Sequence, residues 1–214
     1  MFAVITPPAI HASSAPCIPA PKTGINAGAS EVRFSPDCRW VLVFQSDVGP
    51  PPAFKLARPL KPETAAVIEA KSGKVVATFA MQRDAYPHWL KDGRYLVVNY
   101  LAGSDSTRPL VIRLAPPHNL YDLSSIVLPD VLKRIRHRKS QVYHYYVNYL
   151  GEEDGRITIS AQPDYVARGD SGRGDGRCLI YSIDTATLHH YRLTRMFRDD
   201  DTHPCPQNPD ERRE

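Results

Sequence analysis

The chain has 214 residues, a formal net charge of +4, and 20 prolines against 12 glycines. This length fits one domain with or without tails, and the prolines disfavour long helices and favour short strands joined by stiff loops. The mild positive charge does not by itself indicate nucleic-acid binding, for which a strongly basic face is typical. No stretch approaches the roughly 18 apolar residues of a membrane span. We therefore expect neither a nucleic-acid partner nor a membrane span.

The first 27 residues differ in composition from the rest of the chain. An apolar start, Met1–Thr6, is followed by small residues at Ala12–Ala15, as in signal peptides. A proline pair interrupts the apolar run and no Lys or Arg precedes Lys22, so the match is incomplete. We interpret residues 1–27 as a Pro-rich leader or a signal-peptide remnant. A periplasmic or secreted protein is expected, with a cytoplasmic location as the alternative.

Two hairpins are predicted next. The strand Glu31–Phe34 leads through a turn at Asp37 to a strand that begins at Trp40. After a Pro-rich loop, the strand Ala66–Ala70 turns back into the strand Val75–Phe79. Together these four strands form one unit of the predicted fold.

A second unit repeats the pattern. The strand Tyr86–Leu90 leads through a turn at Asp92 to a strand that begins at Tyr95. Leu110–Leu114 predicts a third strand, and a return strand is placed near Leu120–Leu128.

One short basic helix is predicted over Leu128–Ser140. Pro129 suits its first turn, and the cations near its end complement the helix dipole. These cations form a basic cluster at Lys133, Arg134, Arg136, Arg138 and Lys139. The cluster is a candidate site for an acidic protein partner, with phosphate or a membrane surface as further ligands. The alternative is a solvated helix docked on the sheet.

A tyrosine-rich strand follows the helix. On a strand, Tyr143, Tyr145 and Tyr149 share one face. Tyrosine is enriched at protein interfaces because it combines contact area with a polar tip, so these residues are candidates for partner binding. Aromatic packing inside the sheet is the alternative.

In the third unit the strand Tyr143–Leu150 leads through a turn at Asp154, and the unit ends with the strands Cys178–Ile183 and Leu188–Leu193. A glycine-rich loop inside it contains Asp170, Ser171 and Asp175. Ser171 has no His partner in a protease-like context, and the two aspartates lack the spacing of a calcium loop. We therefore predict no catalytic residue, no metal and no cofactor, although the sequence leaves enzymatic activity open.

The chain thus divides into the leader 1–27, a β domain 28–196, and a polar tail 197–214. Within the β domain, an Asp-x-Arg turn that leads into a strand occurs at Asp37, Asp92 and Asp154, at intervals of 55 and 62 residues. Such self-similarity is typical of repeat folds, and two hairpins per unit give a four-stranded antiparallel blade.

The phrase from Phe34 to Trp40 resembles the "FSPDGRW" motif of TolB-type and related WD-like β-propeller repeats. The segments Trp89–Tyr95 and Leu150–Ile157 are looser copies, and Cys38 stands where the motif has Gly. The resemblance implies an all-β fold of antiparallel propeller-like blades. Three repeats are fewer than the roughly 4–8 blades of closed propellers, so the ring stays open, closes with uncounted strands, or is completed by a partner chain or a second copy. A β-sandwich is the rival fold.

Four cysteines are candidates for two disulfides in an exported protein. Three pairings are open. A Cys17–Cys205 bridge would tie the tails together, and a Cys38–Cys178 bridge would join the first and last units. Free buried thiols are the alternative for a cytosolic protein.

These patterns favour a non-catalytic protein-binding module of the bacterial envelope, for which an immunity or inhibitor protein is an analogy of suitable size. The alternative is a hydrolase or sugar-binding propeller relative, with a pocket formed by Asp170, Asp175, His88 and His144.

Overall fold

The computed structural model describes residues 17, 25, 28–48, 50, 54, 59–81, 83–103, 106–135, 142–165, 176–198 and 204–207, with the backbone alone at residues 142–144 and 164–165. These ranges form twelve strands and one helix. In chain order they are β1 (Glu31–Phe34), β2 (Trp40–Gln45), β3 (Thr64–Glu69), β4 (Val75–Ala80), β5 (Ala85–Trp89), β6 (Tyr95–Gly103), β7 (Ser106–Arg113), β8 (Leu120–Asp122), α1 (Leu123–Ile135), β9 (Val142–Glu153), β10 (Arg156–Tyr165), β11 (Arg177–Asp184) and β12 (Tyr191–Arg198).

The strands form three consecutive four-stranded antiparallel meanders. The first is a separate sheet with the order β1-β2-β3-β4. The second runs β5-β6-β7-β8 and the third β9-β10-β11-β12. A short parallel pairing of β7 with β9 joins the second and third meanders into an eight-stranded sheet. The predicted β-rich fold with antiparallel sheets and one helix is therefore confirmed, and neither described sheet closes on itself.

The first meander is buried on both faces. Its two central strands are apolar at successive positions, so alternate side chains enter two different interiors. Leu42 packs in one cluster with Leu96 of the second meander. Its neighbour Val43 packs in a separate cluster with Ile68. The first and second meanders therefore lie face to face.

A further interior lies between the second and third meanders. Val97 of β6 alternates with Leu96 and packs with Ile159 of β10 and Tyr181 of β11. The buried stripe of α1, which includes Val127, belongs to the same cluster. Each face of the second meander thus packs against a different neighbour. This layering differs from a two-sheet sandwich, which has one interior between its sheets.

The helix lies five residues earlier than predicted. It spans Leu123–Ile135, and the predicted return strand is only the three-residue β8. Asp122 begins the helix, because its Oδ1 accepts the backbone N–H of Ser124 at 2.9 Å, which is the role of an N-cap. Pro129 therefore sits inside the helix rather than in its first turn. No helix in the described ranges has the length and apolar character needed to cross a membrane.

Both disulfides connect a terminal segment to the sheets. The bonds are Cys17–Cys38 and Cys178–Cys205, with Cα–Cα distances of 5.9 and 5.4 Å. All four candidate cysteines are thus in disulfides, but the pairing is neither of the two bridges weighed from the sequence. Each cysteine pairs with a partner close in the chain, 21 and 27 residues away, because each terminal segment docks on the nearest meander. Such bonds persist in oxidising compartments.

The docked segments extend beyond the predicted limits of the β domain. Ile25 is 1% exposed and pairs with Ala85 at the edge of β5. At the other end, Cys205 is 5% exposed, and Pro206 O accepts a hydrogen bond from Ser160 Oγ at 2.7 Å. Residues 204–207, the described part of the predicted tail beyond β12, are therefore held against β10 and β11.

Candidate functional site

Two of the three repeated turns have the same backbone geometry. We call Ser35–Arg39 the first turn and Leu90–Arg94 the second turn. In each, the N–H of the fourth residue donates to the carbonyl of the first at 2.9 Å. That fourth residue has a positive φ, 59° at Cys38 and 66° at Gly93. The motif glycine is thus needed for its left-handed backbone, which Cys38 adopts despite its side chain.

The geometry that the first and second turns share includes the aspartate of each turn. Asp37 Oδ1 accepts the backbone N–H of Arg39 at 3.1 Å, and Asp92 Oδ1 accepts that of Arg94 at 2.8 Å. An aspartate that accepts the N–H two residues on stabilises a turn locally. The Asp-x-Arg spacing therefore has a structural role in these two copies.

The third copy is different. Asp154 and Gly155 form a two-residue turn between the paired residues Glu153 and Arg156, with φ values of 48° and 68°. Positive φ at both central residues is the type I′ hairpin geometry that Asp-Gly favours. The shared Asp-x-Arg spacing therefore gives one backbone geometry at Asp37 and Asp92 and a different one at Asp154.

The three turns nevertheless lie side by side at one end of the molecule. A β-carbon added to Gly93 would lie 3.9 Å from Asp37 Oδ2, so the first and second turns face each other closely. The backbone N–H of Lys91 donates to Glu152 Oε2 at 2.9 Å, which links the second turn to the end of β9.

A cleft of about 440 Å³ lies between the first and second turns. We call it the inter-turn cleft. Besides the two turns, it is lined by Trp40, Trp89 and Leu114. It continues into a smaller depression of about 260 Å³, which shares Trp40 and Leu114 and ends at His118.

Both tryptophans of the chain line this cleft. Trp40 is 5% exposed. The indole nitrogens of Trp40 and Trp89 and the Nδ1 of His118 are buried without a hydrogen-bond partner among the described residues. A buried polar group without a partner costs about 1–3 kcal/mol, so the two indole N–H groups mark places where an acceptor is missing.

The carboxylates around the cleft already accept hydrogen bonds from neighbouring groups of the protein. Partial burial would raise the pKa of Asp37, but the Ser35 hydroxyl, the Arg39 N–H and the Arg39 charge outweigh it and lower that pKa. Asp92 accepts Arg94 Nε at 2.6 Å, and Glu69 accepts the Ser72 hydroxyl at 2.5 Å.

The cations around the cleft are less engaged. Within the described ranges, Lys74 and Lys91 form no ion pair with a carboxylate. The Arg39 guanidinium lies 6.0 Å from the centre of the Trp40 ring. The cleft therefore offers hydrogen-bond donors and positive charge more than it offers acceptors.

The predicted basic cluster is only partly described. Lys133 and Arg134 are exposed near the end of α1. Arg134 Nε donates to Asp130 Oδ2 at 2.5 Å, and Tyr181 Oη donates to the same oxygen at 3.0 Å. Arg136, Arg138 and Lys139 lie outside the described residues. Arg134 thus takes part in docking the helix on β11.

Two tyrosines of β9, Tyr145 and Tyr149, pack against the core. Tyr149 is 8% exposed and belongs to the core cluster between the second and third meanders, and Tyr145 packs against that cluster. The side chain of Tyr143 is not among those that the structure describes. Aromatic packing, the alternative from the sequence, accounts for Tyr145 and Tyr149, which offer little area to a partner.

The Tyr145 hydroxyl leads to a test of this packing. It is buried without a partner among the described residues, and burial raises its pKa well above 10.0. Because the folded state keeps this hydroxyl protonated, its titration leaves stability unchanged below about pH 10 and lowers stability as the pH rises further. We expect Tyr145→Phe to be at least as stable at pH 7 as the unchanged protein, and to lose less stability between pH 9 and 11, in urea denaturation.

Tyr181→Phe is the matched control, because the Tyr181 hydroxyl has a partner in Asp130. We expect this variant to lose about 1 kcal/mol at pH 7. A similar loss of stability for Tyr145→Phe would mean that the Tyr145 hydroxyl has a hydrogen-bond partner, contrary to the described contacts.

Most of the pocket predicted for an enzyme lies outside the described residues. Asp170 and Asp175 lie outside them, as does the side chain of His144. His88 stacks on Tyr149 with ring centroids 4.7 Å apart. Among the described side chains, no three His, Cys, Asp or Glu residues are grouped so that they could hold a metal ion.

The inter-turn cleft was not predicted from the sequence. Its signal was the position of the two tryptophans, because Trp40 directly follows the first turn and Trp89 directly precedes the second. Comparison of the chain with protein-family models and with curated proteins finds no match.

Proposed function

We propose that this protein is a non-catalytic binding module of the bacterial envelope, which engages another protein through the inter-turn cleft. The observation that carries the proposal is that both tryptophans line one cleft with their indole donors unpaired. Aromatic anchors in a concave, largely desolvated site are typical of the central contacts of protein interfaces. A role as an immunity or inhibitor protein remains an analogy based on size.

The polarity of the cleft favours an acidic partner. Its aspartates accept hydrogen bonds from Ser35, Arg39 and Arg94. Lys91 in the cleft and Lys74 in the adjoining depression form no ion pair within the described ranges and are available to external carboxylates. A partner oxygen that reached an indole nitrogen would also satisfy a buried donor, which requires a small movement of the turns because the nitrogens lie below the surface. The partner surface that fits is therefore a loop carrying Asp or Glu.

The disulfides support a periplasmic or secreted location. Each closes a short loop onto a meander, as in exported proteins that must stay folded in an oxidising compartment. Cys17–Cys38 also fixes the first turn, which forms one wall of the cleft. Reduction of this bond should therefore weaken binding as well as stability.

We further infer that the three meanders are blades of an open, propeller-like stack. Three observations support this inference: the repeated four-stranded meander, the core clusters that successive meanders share, and the row of turns at one end. The resemblance to TolB-type repeats agrees with the shared geometry of the first and second turns. A partner or a second copy could extend such an open stack.

The proposal is tested by affinity capture from an envelope extract of the source bacterium. The bait is the oxidised protein, and the variant is Arg39→Glu with Lys91→Glu, which reverses two charges at the rim of the cleft. We expect the unchanged bait to retain a defined partner and the variant to lose it at least about tenfold, since like charges across an interface oppose binding.

The matched control is Lys133→Glu with Arg138→Glu, which reverses the same number of charges in the predicted basic cluster and keeps the Arg134–Asp130 pair. It should capture the partner as the unchanged protein does. Loss of capture in this control variant but not in the cleft variant would place the interface at the basic cluster and contradict the proposal.

A second candidate function is the binding of a small acidic sugar or related ligand. The volume of the cleft favours it, because about 440 Å³ lies within the usual range of roughly 300–1,000 Å³ for small-molecule sites. Titration with glucuronate, using glucose as the neutral control, separates the two candidates. A saturable change in tryptophan emission with glucuronate alone would favour the sugar.

A further inference from the structure

The edge strand β12 carries a second concentration of positive charge, away from the residues of the cleft. Among the described residues it pairs with β11 alone and ends the eight-stranded sheet. Arg192 and Arg195 are exposed and lie opposite Ser182 and Ile180, so they share one face. Neither forms an ion pair with a carboxylate of the described ranges. No acidic residue occurs within Tyr191–Arg198.

The other face of β12 carries an exposed apolar side chain. Met196 is 46% exposed, which is high for a large apolar side chain in a strand. It lines a depression of about 350 Å³ together with Arg177, Phe197 and Arg198. The edge therefore combines backbone hydrogen-bonding groups, cations and an apolar contact.

A second copy of the protein does not fit this edge. Pairing β12 with itself would bring three arginines from each strand into one ribbon, and like charges on paired strands are destabilising. The edge strand β4 provides the contrast, because its residues Val75–Ala80 carry no charge. Self-association would thus be easier at β4, while β12 selects for an oppositely charged strand.

We propose that β12 is a docking edge for an extended acidic segment of another polypeptide, which adds to the sheet as a strand and places carboxylates on Arg192 and Arg195. Strand addition supplies main-chain hydrogen bonds, and the side chains at alternate positions supply selectivity. The bulge at Thr194, where the register with β11 shifts, sets the two arginines on the same face although they are three residues apart.

The test uses the oxidised, full-length protein and a fluorescent eight-residue peptide with Glu and Val at alternating positions and blocked ends. Fluorescence anisotropy measures its affinity, and a peptide with Gln in place of Glu is the matched ligand control. We expect the Glu peptide to bind about fivefold tighter, and Arg192→Gln with Arg195→Gln to remove that difference, since an exposed ion pair contributes about 0.2–1 kcal/mol. Hydrogen exchange should show protection of the β12 amides when the peptide is bound.

The cleft variant Arg39→Glu with Lys91→Glu separates this proposal from the proposed function. It should bind the Glu peptide with the same affinity as the unchanged protein. The β12 variant should have the same tryptophan emission as the unchanged protein. Equal binding of the Glu and Gln peptides, or protection outside β12, would overturn the proposal. No binding of either peptide would also overturn it, and the arginines would then serve only to prevent edge-to-edge aggregation.

Discussion

Replacing Cys178 and Cys205 with alanine should lower the free energy of unfolding by about 3 kcal/mol. The bond closes a loop of 27 residues, and a closed loop of this length reduces the entropy of the unfolded chain by roughly that amount. It also holds the segment 204–207 on β10, where Ser160 bonds to Pro206. Both cysteines are buried, so alanine is preferable to serine. Urea denaturation of the oxidised proteins gives the difference.

Treatment with a reducing agent provides the control for this prediction. After reduction, the unchanged protein should have a lower free energy of unfolding than the oxidised double variant, because reduction also breaks Cys17–Cys38. The double variant should itself respond to reduction through its remaining bond. An unfolding midpoint that did not change on reduction would contradict a stabilising role for either disulfide.

The second large effect is expected for Trp40→Ala, with a loss of about 3–5 kcal/mol in unfolding free energy. Trp40 is 5% exposed and packs with the cluster between the first and second meanders, so alanine leaves a cavity there. Trp40→Phe keeps an aromatic ring and removes an unpaired donor, so its loss should stay below about 1.5 kcal/mol.

The exposed residue Val75 gives the matched control for this pair. It is 46% exposed at the start of β4, and Val75→Ala should change stability by less than about 0.5 kcal/mol. Similar losses for Trp40→Phe and Trp40→Ala would mean that the indole nitrogen has an essential partner, contrary to the described contacts.

Most strands could be predicted from the sequence because they depend on local signals, but β12 spans Tyr191–Arg198 rather than the predicted Leu188–Leu193. Apolar alternation and turn residues place the strand Glu31–Phe34 at its observed bounds and the hairpin of β3 and β4 within two residues. The same rules placed the helix too late. Asp122 ends a short strand and also caps α1, and nothing in the apolar pattern separates those two roles.

The site could not be predicted because it depends on packing between meanders. The first and second turns are 55 residues apart in the chain, and they form a cleft only because their sheets lie face to face. For the tyrosines of β9, the local geometry could be predicted but the packing could not. Their shared face was predicted from the strand period, but whether it faces a partner or the core depends on where α1 and β11 pack.

The emission of Trp40 and Trp89 tests the central claim most directly, because the only two tryptophans of the chain both line the proposed binding cleft. Their fluorescence should be recorded while the captured partner is added, with Trp89→Phe to isolate Trp40. We expect a saturable shift in emission that disappears in Arg39→Glu with Lys91→Glu. Tight binding of the partner without any change in tryptophan emission would contradict the account.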